Sequence, residues 1–197
     1  MISVIIPVYN EERNIAPLFE RLSPILRSVE KVERGYEVIF IDDGSRDGTA
    51  QEIEKLRKKD RNVGLLSFKR NYGKSAAMQA GFDEARGETL ITMDGDLQDI
   101  PEEIPKFLAA LKDKDADMVV GWRYYREDKA TKRLASRIFN SLSGFITGLR
   151  IHDANCGFKA LRKEVAKNLE VYGEMHRYLP ALAYIKGYKV SEIKIRH

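Results

Sequence analysis

Cysteine is nearly absent. A single thiol, Cys156, stands in 197 residues, so no intrachain disulfide can form, which fits a reducing compartment. Long apolar runs are absent too: none approaches the roughly 18 residues a membrane-spanning helix needs. The first apolar run, Ile2 to Val8, is too short for a secretory signal core, and no basic leader precedes it. The expectation is a chain that is soluble as it stands and cytoplasmic. Nor is there a strong excess of one charge sign. Lys and Arg number 34 against 30 Asp and Glu, a net charge of +4. That is weaker than a dedicated nucleic-acid binder requires, so no nucleic-acid partner is expected. It suits phosphate-rich substrates or an anionic membrane surface. Repeats, low-complexity tracts and linkers are missing, which implies one domain, residues 1–197. At this length folding buries roughly 70% of the unfolded surface, enough for a core without staples.

What is present alternates. Short β-branched runs read as buried strands at Ile2 to Pro7, Glu37 to Ile41, Gly64 to Phe68, Thr89 to Met93 and Asp117 to Val120. Between them, helical periodicity runs over Asn14 to Val32, Thr49 to Lys59, Lys74 to Arg86 and Pro101 to Lys112. Such alternation implies parallel strands joined by crossover helices, an α/β sandwich with a mostly parallel central sheet. The remainder is less regular. A basic amphipathic helix is expected over Lys129 to Thr147, a Gly-containing loop over Asp153 to Phe158, and a helix near Arg162 to Leu169. A further segment spans His176 to Lys186, and a last strand starts at Lys189. Residues 1–123 read as a nucleotide-binding half and 124–197 as an acceptor-facing half.

In open α/β sheets ligands sit outside the carboxyl ends of the strands, and here those ends are polar. Asp94-Gly95-Asp96-Leu97-Gln98 follows the fourth strand. In extended chain, Asp94 and Asp96 point the same way. Paired carboxylates repel unless a cation sits between them; Mg²⁺ or Mn²⁺, hard and oxygen-liganded, is the natural one. Gly95 leaves room for a ligand to approach, and Gln98 offers a neutral oxygen if the chain turns after Leu97. The competing reading is a solvated turn that caps the next helix. Asp42-Asp43-Gly44-Ser45, after strand two, reads equally as a turn or as the acidic end that holds a ribose or base. Tyr9 offers a face to a nucleobase and Glu11 an acceptor, although Asn10 or Asn14 could simply cap a helix. Asn71 to Ser75 lacks the first glycine of a P-loop and is rejected as one. Lys74, at a helix start, either faces a phosphate or is solvated.

Taken together these strings resemble the large inverting glycosyltransferase family with the GT-A fold. The nearest branch is the polyprenyl-phosphate glycosyltransferases, which include dolichyl-phosphate mannose synthase. Matching strings are Pro7 to Glu11, Val38 to Ser45 with Asp47-Gly48-Thr49, Arg70 to Lys74, Met93 to Asp99 with Pro101-Glu102, Cys156 to Ala160, and His176 to Pro180. Each is weak alone; their order and spacing over nearly the whole chain are specific. The resemblance implies a hexosyltransferase using a UDP- or GDP-sugar and Mg²⁺ or Mn²⁺. Pro7, Tyr9 and Glu11 would line the base pocket, and Asp42, with Asp43 near it, would hold base or ribose. Asp94, Asp96 and Gln98 would surround the metal and diphosphate, and Arg123 would reach the phosphates or sugar. Gly95 stands where alanine is frequent. In this family the chain continues past the last strand with basic residues and often membrane helices, which would lie beyond residue 197.

The implied reaction is attack on the anomeric carbon with inversion, the metal neutralising the departing nucleoside diphosphate. A saccharide hydroxyl acceptor needs a carboxylate to take its proton, whereas a polyprenyl phosphate is already anionic. Asp153 is the candidate carboxylate on the acceptor side, against a loop-capping role. Arg126, Lys129, Arg133 and Arg137 would draw the protein peripherally to the cytoplasmic face of a membrane, or form an ordinary solvated face. Two rivals remain. A phosphatase would use Asp94 as nucleophile and Asp96 as acid, but Gln98 stands where that class needs a small hydroxyl residue. A non-enzymatic nucleotide-sensing module built on Asp42-Asp43 would not need the second half.

Overall fold

The computed structural model describes residues 1–124 and 148–196. The helix expected over Lys129 to Thr147, with Arg126, Lys129, Arg133 and Arg137, lies outside the described residues. Elements in chain order are β1 (Ile2–Val8), α1 (Glu12–Glu33), β2 (Tyr36–Asp42), α2 (Thr49–Lys59), β3 (Val63–Ser67), α3 (Lys74–Glu84) and β4 (Thr89–Thr92). A 3₁₀ turn (Pro101–Glu103), α4 (Ile104–Asp113), β5 (Met118–Arg123), β6 (Lys159–Arg162) and α5 (Lys163–Asn168) follow. The last are a 3₁₀ turn (Met175–Tyr178), α6 (Leu179–Ile185) and β7 (Val190–Ile195).

The seven strands form one sheet in the order β3-β2-β1-β4-β6-β5-β7. All neighbouring pairs are parallel except those of β6, which runs antiparallel to both β4 and β5. Ile2, Val4, Ile5 and Ile6 of β1 are all fully buried. Residues of both parities are therefore covered, so helices lie on both faces, as a parallel sheet demands. The helices pack in two groups: α1 against α2 and the turn before α4, and α3 against α5 and the turn before α6.

Six expected strands, the last from Lys189 included, and five expected helices, the one near Arg162 to Leu169 included, are present, with ends shifted by at most three residues and those of Thr49–Lys59 not at all. The strand β6 was not expected. Its four residues, Lys-Ala-Leu-Arg, carry too little apolar pattern to be told from the helix that follows, and pairing on both sides is what makes them a strand. Strand direction puts the carboxyl ends of the other six at one edge of the sheet. Because β6 is reversed, its first residue, Lys159, lies at that same edge, opposite Thr92 and Val120. The chain's direction across the sheet reverses between β1 and β4, the place where α/β sheets open a crevice.

One polar knot lies inside this core. Glu37 is 5% exposed and its carboxylate accepts from the Ser3 hydroxyl (2.5 Å), the Arg86 backbone N–H (2.8 Å) and Arg86 Nε (2.9 Å). Burial pushes the Glu37 carboxyl up, but those donors outweigh it and hold it below the usual carboxylate range. A lowered folded value means stability that is present above the unfolded pKa of about 4.3 and lost as pH falls through the folded one. Glu37→Gln should therefore cost about 1–3 kcal/mol at pH 7. The gap to the parent should narrow in urea melts below about pH 4; a constant gap there would refute the assignment.

Candidate active site

Three strand ends and one helix start build a cleft of about 260 Å³ at the β1/β4 crevice. Its walls are Pro7, Val8, Tyr9 and Glu11 at the end of β1 and just beyond it, Asp43 after β2, Asn71 and Gly73 before α3 with Lys74 and Ala77 in its first turn, and Asp94, Gly95 and Asp96 after β4. Of the residues expected from sequence, it brings together Pro7, Tyr9, Glu11, Asp43, Lys74, Asp94, Gly95 and Asp96. Asp42, Gln98, Arg123 and Asp153 do not line it.

Local hydrogen bonds explain the shape. Asn10 adopts a left-handed conformation (φ 57°), which turns the chain out of β1. Its side-chain oxygen accepts from the Arg46 N–H at 2.8 Å, and the Ser45 hydroxyl accepts from the Asn10 N–H at 2.9 Å. Asp42 ends β2 and accepts from the Ser45 N–H at 3.0 Å, the turn role rather than an open one. Asp43 is 4% exposed and accepts from the backbone N–H groups of Tyr72 (2.7 Å) and Gly73 (2.9 Å). It thereby fixes the entry to α3 and so the placement of Lys74.

The acidic cluster does not sit on extended chain. β4 ends at Thr92, because the Asp94 N–H goes to the carboxylate of Asp99 at 2.8 Å. The chain bends, and Leu97 rather than its successor takes the left-handed turn (φ 67°). Asp94 and Asp96 nevertheless both face the cleft, Asp96 also accepting from the Gln98 N–H at 3.1 Å. Asp94 Oδ1 is 2.5 Å from Lys74 Nζ, each side chain about one-third exposed (34% and 35%). Gly95 lines the cleft, but its missing side chain is a packing requirement: a Cβ would lie 2.7 Å from Val8 Cγ1. Gly157 backs Asp94 still more closely, since a Cβ there would meet both carboxylate oxygens within 2.8 Å. Two carboxylates on one wall suit a hard divalent cation that completes its shell with diphosphate and water. Among the described residues no cluster of three or more His, Cys, Asp or Glu side chains adds to them.

Behind this wall lie groups that sequence reading passed over. Asp99 is buried, and burial followed by the neighbouring Asp94 charge drives its carboxyl up to about 7. Lys159 is 2% exposed and its ammonium donates to the carbonyl of Cys156. Burial lowers its pKa, while Asp94 and Asp153 act the other way. Thr92 Oγ1 donates to the Gly157 carbonyl at 2.7 Å, so the Cys156-Gly157 segment is tied at both carbonyls. Cys156 itself is fully buried, and burial pushes its thiol up to about 12, which makes it an inert packing group. Ser75 Oγ accepts the His176 N–H at 3.1 Å and lies 2.9 Å from its Nδ1. Burial, then the charge of Lys74, takes His176 down to about 4, so the imidazole is neutral at physiological pH. The matching string at His176 pointed at this contact without its partner, because Ser75 lies 101 residues away.

On the other side of β6, Arg123 holds Asp153 through two bonds, Nε to Oδ2 at 2.7 Å and Nη2 to Oδ1 at 3.0 Å. Both expected residues are thus brought together with each other rather than with the cleft. The loop carrying Asp153 also contains Asn155 Oδ1, the one buried side-chain polar atom without a hydrogen-bond partner among the described residues.

The chain matches the family described as Glycosyl transferase family 2 over residues 3–170. It is 36% identical over 200 residues to the dodecaprenyl-phosphate galacturonate synthase of Rhizobium johnstonii. It is 39% identical over 197 residues to the undecaprenyl-phosphate 4-deoxy-4-formamido-L-arabinose transferase of Shewanella sediminis. All of the chain is covered in both cases, and it spans 58% of the length of each relative. Among solved structures it resembles glucosyl-3-phosphoglycerate synthase from Mycobacterium tuberculosis in complex with Mn²⁺, UDP and phosphoglyceric acid. That match has a TM-score of 0.76 at 17% identity and covers 98% of this chain and 68% of that one. Mannosyltransferase PcManGT from Pyrobaculum calidifontis, in complex with GDP-Man and Mn²⁺, matches with a TM-score of 0.69 at 18% identity, covering 98% and 54%. The fold is that of these GT-A enzymes, and the chain belongs to glycosyl transferase family 2.

Proposed function

We propose that the protein transfers a sugar, with inversion, from a UDP- or GDP-sugar to a polyprenyl phosphate. Asp94 and Asp96 would hold Mg²⁺ or Mn²⁺, with Gln98 at the edge of that site. The observation that carries this is the convergence of Asp94, Asp96 and Lys74 on one cleft with Tyr9, Glu11 and Asp43. A nucleotide would lie along the cleft with its base between Pro7, Tyr9 and Glu11 and its ribose toward Asp43. Its diphosphate would meet Lys74 and the β4 carboxylates. The bound cation supplies charge neutralisation for the departing diphosphate. Lys74 adds a positive charge at the phosphates, and the absence of a side chain at Gly157 leaves the room that the Asp94 carboxylate occupies.

A phosphate acceptor is favoured over a hydroxyl by the state of Asp153. Both of its oxygens are engaged by Arg123 in a pair that is 4% and 16% exposed, which suits a structural anchor better than a proton acceptor. An acceptor already anionic near neutrality needs orientation and charge compensation, not a base. The relatives named for dodecaprenyl and undecaprenyl phosphates support the same choice, and with it peripheral work at the cytoplasmic face of a membrane. No helix among the described residues is long and apolar enough to cross one. In this reading residues 1–123 serve the donor and 124–197 the acceptor within one domain.

A thermal-shift panel of UDP- and GDP-sugars, each with and without Mn²⁺, tests the donor half. A ligand at 100 times its Kd adds about 2.7 kcal/mol, roughly 5–10 °C for a domain of this size. One base series should produce that shift, and only with metal. A panel that leaves the melting temperature unmoved would overturn the reading.

A further inference from the structure

Lys74 stands where a cation would bind. Its ammonium is 2.5 Å from Asp94 Oδ1, on the wall that carries Asp96. Other cations act on this neighbourhood: the charge of Lys74 depresses His176, as do those of Arg177 and Lys159 more weakly, and Lys159 is itself opposed by Lys74. The Asp94 carboxylate is the anion in direct contact with the Lys74 ammonium. That partner lies against Gly157, so closely that a Cβ there would collide with its carboxylate. The backbone at Lys74 is held on both sides, by Asp43 on the two preceding N–H groups and by the Ser75–His176 contact. The side chain between these fixed points is one-third exposed, so the pair is open to exchange. An ion pair of this exposure is weak and gives way to a divalent ion or a diphosphate.

Resting on the metal-diphosphate reading of the cleft, we infer that Lys74 is an internal cation that the donor must displace, so that the form the protein takes up is the metal–nucleotide complex and not free metal followed by nucleotide. A free metal ion has to evict Lys74 from Asp94 and then sit beside it unscreened. A metal arriving on a diphosphate brings the anion that receives Lys74. The eviction is thus compensated within a single binding event, and metal and nucleotide favour each other through the same side chain. Helix α3 presents Lys74 from its N-terminal end, where an incoming phosphate also meets free backbone N–H groups.

The test uses the full chain and two probes: Mn²⁺ alone, followed by loss of the free-ion electron paramagnetic resonance signal, and UDP or GDP with saturating Mn²⁺, followed by calorimetry. Lys74→Met keeps the side chain's length and removes its charge. It should bind free Mn²⁺ about fivefold more tightly than the parent and the nucleotide about tenfold more weakly. Lys74→Arg, which retains the charge, should behave like the parent with Mn²⁺ alone. Free Mn²⁺ bound equally or less tightly by Lys74→Met would overturn the inference. Asp96→Asn separates this from failure of the underlying reading. If parent and Asp96→Asn bind Mn²⁺ alike, with and without nucleotide, the metal site is wrong; if Asp96→Asn alone loses it, only the Lys74 inference is at stake.

Discussion

Asp96→Asn should lower metal-dependent sugar transfer by about 10²- to 10³-fold, the scale seen when one transition-state-stabilising group is removed. Its melting temperature should stay within a degree or so of the parent's, since exposed substitutions away from special features change stability little. Asp96 is exposed, and the hydrogen bond it accepts from the Gln98 N–H can be accepted equally by an amide oxygen. The substitution removes one of two anionic oxygen groups on the wall while leaving shape and packing alone. Initial rates over a Mn²⁺ series, beside a melting curve, check it. Full activity at limiting Mn²⁺ would exclude Asp96 as a ligand and leave Asp94 alone to hold a cation.

Asp153→Asn should do the reverse, acting on stability first. The Arg123–Asp153 pair is bidentate and nearly enclosed. Removing the negative partner strands a buried guanidinium, which costs about 3–5 kcal/mol, or roughly 6–20 °C in melting temperature. Calorimetric melting of parent and variant reads this directly, and equal melting temperatures would mean that the pair contributes nothing. The result also governs the acceptor question. Transfer to a polyprenyl phosphate should persist per folded molecule, measured well below the variant's melting point. Transfer to a hydroxyl would vanish even there.

Much of this site was legible because parallel strands end at one edge. The polar strings after β1, β2 and β4 could be assigned to a common crevice from strand order alone, and Tyr9, Glu11, Asp43, Lys74, Asp94 and Asp96 do share it. What escaped depends on contacts between distant segments. The reversed strand β6 cannot be read from Lys-Ala-Leu-Arg, because its pairing with β4 and β5 creates it. The need for Gly157 comes from Asp94, 63 positions earlier, and no local pattern links them. Gly95 invited a ligand-centred explanation when its neighbour is the stiff branched side chain of Val8. Arg123 looked like a phosphate ligand at a strand end. With β6 interposed, β5 is two strands away from β4, and Arg123 meets Asp153 instead.

The same reversed strand has a consequence for assembly of the chain. β1 to β4 can pair among themselves as soon as residue 92 is available, but the outer edge of β4 is closed only by residues 159–162. Until that stretch arrives, β4 offers a row of unpaired backbone groups, the surface on which strands of separate molecules stick together. Closing it joins segments some seventy residues apart, and pairing over such separations is slow. The donor-side half is therefore not a module that can be cut out and used alone. Severed after residue 123, it would carry a permanently open edge and aggregate, however sound its own cleft.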